Sequence, residues 1–191
     1  RVGSILAGKG IQVHYTRTDN TWVSLSTRSY MANQARADVL LSIHVNASPK
    51  PEVSGVETYY LDLAGTKDSV RLAAVENAGS NRGLGEMEEI LADMLLDSRM
   101  QESRRLASSV QTQTLAQLKK RGQPAKSGGT KGAPFHVLIG SSMPGVLVEV
   151  GYCTNAAEAK RLRQSAYRDA LAEGIANGVH HYARQLETAA K

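Results

Sequence analysis

The 191-residue sequence has one cysteine, one tryptophan and one phenylalanine. The lone cysteine, Cys153, cannot form an internal disulfide, and a buried, inert thiol is the expected state for such a residue. No stretch approaches the roughly 18 consecutive apolar residues that predict a membrane-spanning helix. The first residues also lack the apolar core of a signal peptide. These 191 residues therefore predict neither a disulfide-stapled scaffold nor a membrane-spanning helix, and the absent signal says little about compartment.

The excess of positive over negative charge is small: 23 Lys and Arg and 18 Asp and Glu give a net charge of +5. Such a surplus favours weak attraction to nucleic acid, anionic lipid or anionic cell wall. The charges are interspersed, however, and residues 119–121 form the one compact basic run. Of the possible functions, nucleic-acid binding is the one that the sequence favours least, because aromatic residues are few and no nucleic-acid motif is recognisable. The sequence also lacks a P-loop and a G-x-S-x-G nucleophile elbow.

Hydrophobic periodicity predicts an α/β fold, with a twisted, mainly parallel central sheet flanked by helices. The predicted strands are 11–16, 39–43, 55–61, 135–139 and 146–150. The continuous apolar run 39–43 predicts a strand buried on both faces. The predicted helices are 1–7, about 25–36 with Ser24 or Ser26 as cap, about 99–119 and about 164–185. Residues 121–134 are the most loop-like.

Residues 68–121 interrupt this pattern with a largely helical block, which we interpret as an insertion in the α/β core. Within it, Met87, Ile90, Leu91, Met94 and Leu95 form an apolar stripe at helical spacing. The stripe could be a docking surface for a partner, although packing against its own domain is the more ordinary explanation for part of it.

His44 and Glu149 are the side chains best placed for chemistry. His44 ends a predicted strand, where ligands bind in open α/β sheets, and could be a zinc ligand, a general base or a core histidine satisfied by a backbone carbonyl. Glu149 lies inside an apolar strand, where a carboxylate is costly unless it is paired or functional. Burial would raise its pKa, which suits a group that accepts and returns a proton.

Several motifs resemble one enzyme family in order and spacing. Residues 42–47, S-I-H-V-N-A, resemble the S-I-H-x-N-A segment of the N-acetylmuramoyl-L-alanine amidases of the amidase-3 type. Residues 144–155 resemble that family's P-x-V-L-V-E-x-G-F-x-[ST]-N. Residues 16–17, 25–38 and 135–138 give supporting matches. On the basis of these motifs, residues 1–191 resemble a single amidase catalytic domain. Residues 68–121 would then be a helical regulatory segment inserted in that domain.

The resemblance implies a zinc enzyme that cuts the bond between N-acetylmuramic acid and L-alanine in peptidoglycan. It implies that His44 is a zinc ligand, that Glu149 is the catalytic glutamate, and that Asn46 and Arg28 orient substrate or support the site. The family's first histidine ligand, in a D-P-G-H-G-G motif, and its ligand glutamate have no counterpart here, so we expect an N-terminally truncated chain. The alternative is a non-catalytic peptidoglycan-binding or regulatory module of the same fold.

The inserted block resembles the regulatory segment of division-associated amidases, in which a helix covers the site. Residues 74–78 match its glutamate–asparagine element, so the resemblance implies that Glu76 is an inhibitory plug on the zinc. It further implies a LytM-domain activator, no nucleic-acid partner, and a periplasmic location or secretion to the cell wall.

Overall fold

The computed structural model of the chain describes residues 1–62, 65–79 and 98–189. The described strands are β1 (Leu40–Asn46), β2 (Val56–Leu61), β3 (Ser127–Ala133) and β4 (Gly145–Tyr152). The helices are α1 (Val2–Gly8), α2 (Leu25–Gln34), α3 (Lys67–Glu76), α4 (Ser98–Lys120), α5 (His136–Ile139), α6 (Ala156–Leu162) and α7 (Ser165–Ala189), with a 3-10 turn at Asn77–Gly79. None of these helices has the length and apolarity needed to cross a bilayer.

The four strands form one sheet in the order β1-β4-β2-β3. β1 runs parallel to β4 and β2 runs parallel to β3, while β2 and β4 are antiparallel. The predicted α/β class is therefore confirmed, and the sheet is mixed, with two of its three pairings parallel.

Helices cover both faces of this sheet. On one face α4 and α7 pack over the strands, around a core that includes Val56, Leu106, Val148, Ile175 and Tyr182. On the other face α2, α3 and α5 enclose a second core that includes Tyr59, Leu72, Phe135, Leu138 and Leu147. His44, Glu149 and Glu57 share the second face, because they alternate with residues whose side chains enter the first core.

Two helices begin where a hydroxyl side chain satisfies a free backbone N–H in the first turn, and the first of these caps was predicted from the sequence. Ser24, one of the two proposed caps, accepts a hydrogen bond from the backbone N–H of Thr27 at 3.1 Å and starts α2. Thr66 accepts from the backbone N–H of Ser69 and starts α3. These caps fix where the two helices on the site face begin.

Two predicted strands are wrong. Residues 11–16 are irregular, and their alternation has a simpler cause: Ile11 and Val13 pack on the first core without pairing to a strand of the described chain. Residues 135–139 form one turn of helix, α5, in which His136, Val137, Leu138 and Ile139 are all buried. A short continuous apolar run does not distinguish a buried strand from a buried helix.

The glycine-rich stretch predicted as loop contains β3. A Cβ on Gly128 would lie 2.2 Å from Cγ of Glu57, and one on Gly132 would lie 2.4 Å from Cβ of Asp62. These glycines therefore permit close approach of neighbouring side chains inside a strand, which is one of the roles that glycine has in sheets.

β1 also differs from its prediction as a strand buried on both faces. Ile43 and Val45 are 45% and 48% exposed, because β1 is an edge of the described sheet.

Cys153 is exposed rather than buried. The apolar stripe at 87–95 lies outside the described residues, as does the remainder of 80–97, so the extent of the inserted segment stays a prediction.

Candidate active site

The β1–β4 ladder places two of the predicted site residues side by side. The parallel register runs from Leu40 opposite Gly145 to His44 opposite Glu149. It shifts between His44 and Asn46, so that Asn46 comes opposite Tyr152. Paired residues on neighbouring strands point to the same face. His44 and Glu149 thus lie together beneath α3 at the carboxyl ends of two parallel strands, where α/β proteins bind ligands.

Glu149 is a buried carboxylate with no compensating contact among the described residues. Its side chain is 0% exposed, and neither carboxylate oxygen has a hydrogen-bond partner. Burial and, to a smaller extent, the negative charges of Glu76 and Glu57 together raise its pKa to about 8. An orphaned buried carboxylate is expensive to keep, so its presence in β4 points to a function rather than to stability.

Glu76, the last residue of α3, reaches the same point from above the sheet. One of its carboxylate oxygens lies 2.9 Å from Nδ1 of His44, and Oγ of Ser42 lies 3.0 Å from Nε2 of the same ring. The hydrogen bond to His44 lowers the pKa of Glu76 against the opposing effect of partial burial, and the positive charge of Arg28 lowers it further. Glu76 therefore carries a negative charge next to an imidazole and a buried carboxyl group.

These three side chains could hold a metal ion. One ligand atom from each of His44, Glu76 and Glu149 lies within 4.8 Å of the other two. Imidazole nitrogen and carboxylate oxygen are donors that zinc and other divalent transition metals accept. The unpartnered oxygens of Glu149 fit this interpretation, because a cation or a cation-bound water would satisfy them.

Asn46 and Arg28 lie close to this cluster but make structural contacts. Asn46 is buried, its side-chain oxygen accepts from the backbone N–H of Ala47 at 2.7 Å, and its carbonyl accepts from the backbone N–H of Cys153 at 2.8 Å. It thereby shapes the chain where β1 ends. The Nε–H of Arg28 donates to the carbonyl of Val23 at 3.1 Å, while its charge acts on Glu76. A direct role in substrate binding stays a prediction for both residues.

Glu57 is a buried carboxylate that sequence reasoning missed. It lies opposite Glu149 in the β2–β4 ladder, and its Oε1 accepts from Nζ of Lys131 at 2.6 Å. Its Oε2 accepts from the hydroxyl of Tyr59. The signal was present, since Glu57 interrupts an apolar and aromatic strand much as Glu149 does. The two neighbouring carboxylates thus have opposite environments: Glu57 is paired with the Lys131 ammonium and the Tyr59 hydroxyl, and Glu149 has no such partner among the described residues.

The chain is similar to known enzymes along almost its whole length. The model of the family described as N-acetylmuramoyl-L-alanine amidase matches residues 1–181. N-acetylmuramoyl-L-alanine amidase LytC of Bacillus subtilis is 33% identical over 184 residues, which are 96% of this chain and 29% of LytC. N-acetylmuramoyl-L-alanine amidase AmiA of Salmonella typhimurium is 28% identical over 186 residues, 95% of this chain and 64% of AmiA.

Among solved structures, the N-acetylmuramoyl-L-alanine amidase from Clostridium difficile 630 superposes with a TM-score of 0.69 at 30% identity. The match covers 96% of this chain and 78% of that one. The chain spans less than two thirds of the length of LytC and of AmiA.

Proposed function

The chain belongs to the N-acetylmuramoyl-L-alanine amidase family, and on that premise we propose that it hydrolyses the amide bond between N-acetylmuramic acid and L-alanine in peptidoglycan. The observation that carries the proposal is the buried, unpartnered carboxylate of Glu149 beside His44 and Glu76. Family membership bears out the resemblance seen in the motifs of 42–47 and 144–155.

Glu149 is the general base and acid of this reaction. Amide hydrolysis requires a group that removes a proton from the attacking water and then gives a proton to the departing amine nitrogen. Its position inside an apolar strand raises the pKa of Glu149 above that of an ordinary carboxyl group, and a carboxyl group with a raised pKa suits both transfers. The neighbouring Glu57 is held by Lys131 and Tyr59, which leaves Glu149 as the carboxyl group free to exchange protons.

His44 is the residue that would hold zinc next to Glu149, and Glu76 would contact the zinc as an inhibitory plug while α3 is in place. Zinc bound there would lower the pKa of a bound water to about 7 and polarise the amide carbonyl. Ser42 supports this role of His44, because its hydroxyl contacts the second ring nitrogen and so orients the imidazole.

We propose in addition that α3 inhibits the enzyme. With α3 in place, Glu149 is 0% exposed, so neither water nor an amide substrate can reach it. Glu76 occupies the position beside His44 that a substrate or water would need. Activity therefore requires α3 to move, and a partner that binds the moved state more tightly would activate the enzyme. A LytM-domain protein is the expected partner, and a periplasmic or cell-wall location follows from the substrate.

The reaction is tested on purified peptidoglycan with protein from the complete reading frame. Hydrolysis should release stem peptides with free L-alanine amino termini and leave glycan strands without new reducing ends. Glu149→Gln keeps the shape of the side chain but cannot accept the proton, so we expect its rate to fall by roughly two orders of magnitude or more. Binding to peptidoglycan without release of peptides by the wild-type protein, with Glu76→Ala also inactive, would favour the non-catalytic module.

The inhibitory role is tested by Glu76→Ala in the same protein. Removing the carboxylate should raise hydrolysis in the absence of an activator, with the metal content unchanged. If Glu76→Ala instead loses both metal and activity, Glu76 is a required ligand and not a plug.

A further inference from the structure

The end of α3 is tied to the chain between β3 and α5 by a single carboxamide. Asn77 follows Glu76 and caps α3. Its Nδ2 donates to the carbonyl of Pro134 at 2.8 Å, and its Oδ1 accepts from the backbone N–H of His136 at 2.8 Å. The Asn77 side chain therefore forms hydrogen bonds with two backbone groups of the segment between β3 and α5, and these hold the end of α3 against that segment.

The beginning of α3 is tied to the same stretch of chain. The hydroxyl of Ser69 donates to the carbonyl of Gly132 at 2.9 Å, while Leu72 and Ala73 are buried in the second core. The two attachment points, Ser69 and Asn77, lie about two turns apart along the helix. Of the two residues, Asn77 is the one next in sequence to Glu76, which contacts His44.

We propose that Asn77 is a positioning residue that latches α3 over Glu149. The inference rests on the proposed inhibitory role of Glu76. Opening α3 breaks both hydrogen bonds of Asn77 and exposes the Pro134 carbonyl and the His136 N–H to water. Loss of both bonds should shift the closed-to-open ratio towards the open form on the order of tenfold. The latch acts on the population of the closed state, and Asn77 does not itself contact substrate.

The chain contains a matched control for this contact. Asn33, near the end of α2, makes the same pair of bonds: its Nδ2 donates to the carbonyl of Gly140 at 2.8 Å, and its Oδ1 accepts from the backbone N–H of Ser142 at 2.8 Å. Asn33→Ala therefore removes an equivalent clamp from a helix that does not carry Glu76. It should lower stability without raising basal activity.

The experiment compares Asn77→Ala, Asn77→Asp, Asn33→Ala and Glu76→Ala in protein from the complete reading frame. Two quantities are measured: peptide release from peptidoglycan without activator, and hydrogen exchange of the α3 amides. Both Asn77 variants should raise basal release on the order of tenfold and speed exchange in α3. Asn77→Asp keeps an acceptor for His136 but replaces the donor facing the Pro134 carbonyl with a carboxylate, so it tests the latch even if the alanine variant folds poorly.

The outcomes separate the latch from the proposed function. If Glu76→Ala raises basal release and both Asn77 variants leave release and α3 exchange unchanged, the latch is wrong and the plug stands. If Glu76→Ala gives no increase, the proposed inhibition itself fails. An equal rise in Asn33→Ala would also overturn the latch, because general loosening would then explain the result.

Discussion

His44 and Glu149 occupy paired positions on adjacent parallel strands, so the β1–β4 ladder itself sets the distance between an imidazole and a buried carboxyl group. A site built on strands is held more rigidly than one built on loops. The third member of the cluster, Glu76, ends a helix that packs on the sheet and takes no part in the strand ladders. The proposed catalytic glutamate and the proposed zinc ligand are thus held by the sheet, and the proposed inhibitory residue is held by a helix.

Stability of chelator-treated protein should fall as pH rises, because of Glu149. Its pKa is raised to about 8 from 4.5 by burial and by Glu76 and Glu57, so the folded state binds the proton more tightly than the unfolded chain does. The favourable contribution is complete below about pH 4.5 and is lost as the pH rises through about 8. Urea denaturation should show wild type losing on the order of a few kcal/mol over this window relative to Glu149→Gln. Parallel pH profiles for the two proteins would refute the assignment.

Lys131→Met should destabilise the protein through Glu57. The ammonium group of Lys131 contacts a carboxylate that is 7% exposed, and removing the cation leaves Oε1 of that carboxylate without its partner. We expect the free energy of unfolding to fall by roughly 1–3 kcal/mol. The control is Lys126→Met, which removes an exposed lysine just before β3 and should change stability by less than about 0.5 kcal/mol. Equal effects of the two substitutions would show that the Glu57 pair is unimportant.

Gly178→Ala should force α4 and α7 apart. A Cβ at this position would lie 2.5 Å from Cα of Val110, a backbone atom that cannot turn aside as a side chain can. Overpacking of this kind should cost about 1–3 kcal/mol of unfolding free energy. Gly8→Ala, where a Cβ meets no atom within 4 Å, should be neutral or stabilising by less than about 1 kcal/mol. Thermal denaturation of both variants checks the difference, and a stable Gly178→Ala would contradict the packing.

The sequence singled out His44 and Glu149, which the structure pairs on adjacent strands, more successfully than it predicted the elements around them. His44 and Glu149 could be identified because each is a polar residue in or at the end of an apolar strand, and because their flanking motifs resemble one family. The sheet pairings, the glycines of β3 and the helical turn at 135–139 depend on contacts between distant residues, which local periodicity does not contain. Glu57 had a visible signal in its apolar strand, but its pairing with Lys131 could not be predicted. The contacts of Asn77 with Pro134 and His136 could not be predicted either, because these residues are far away in the chain.

Metal content shows whether His44 holds a zinc ion beside Glu149. Protein from the complete reading frame, purified with added zinc, is analysed for metal per chain together with His44→Ala. We expect about one zinc per chain in the wild-type protein, as a mononuclear hydrolase site requires, and a loss of most of it in His44→Ala, because an imidazole donor is removed. Zinc absent from the metal-replete wild type, or bound equally well by His44→Ala, would show that His44 is not a zinc ligand.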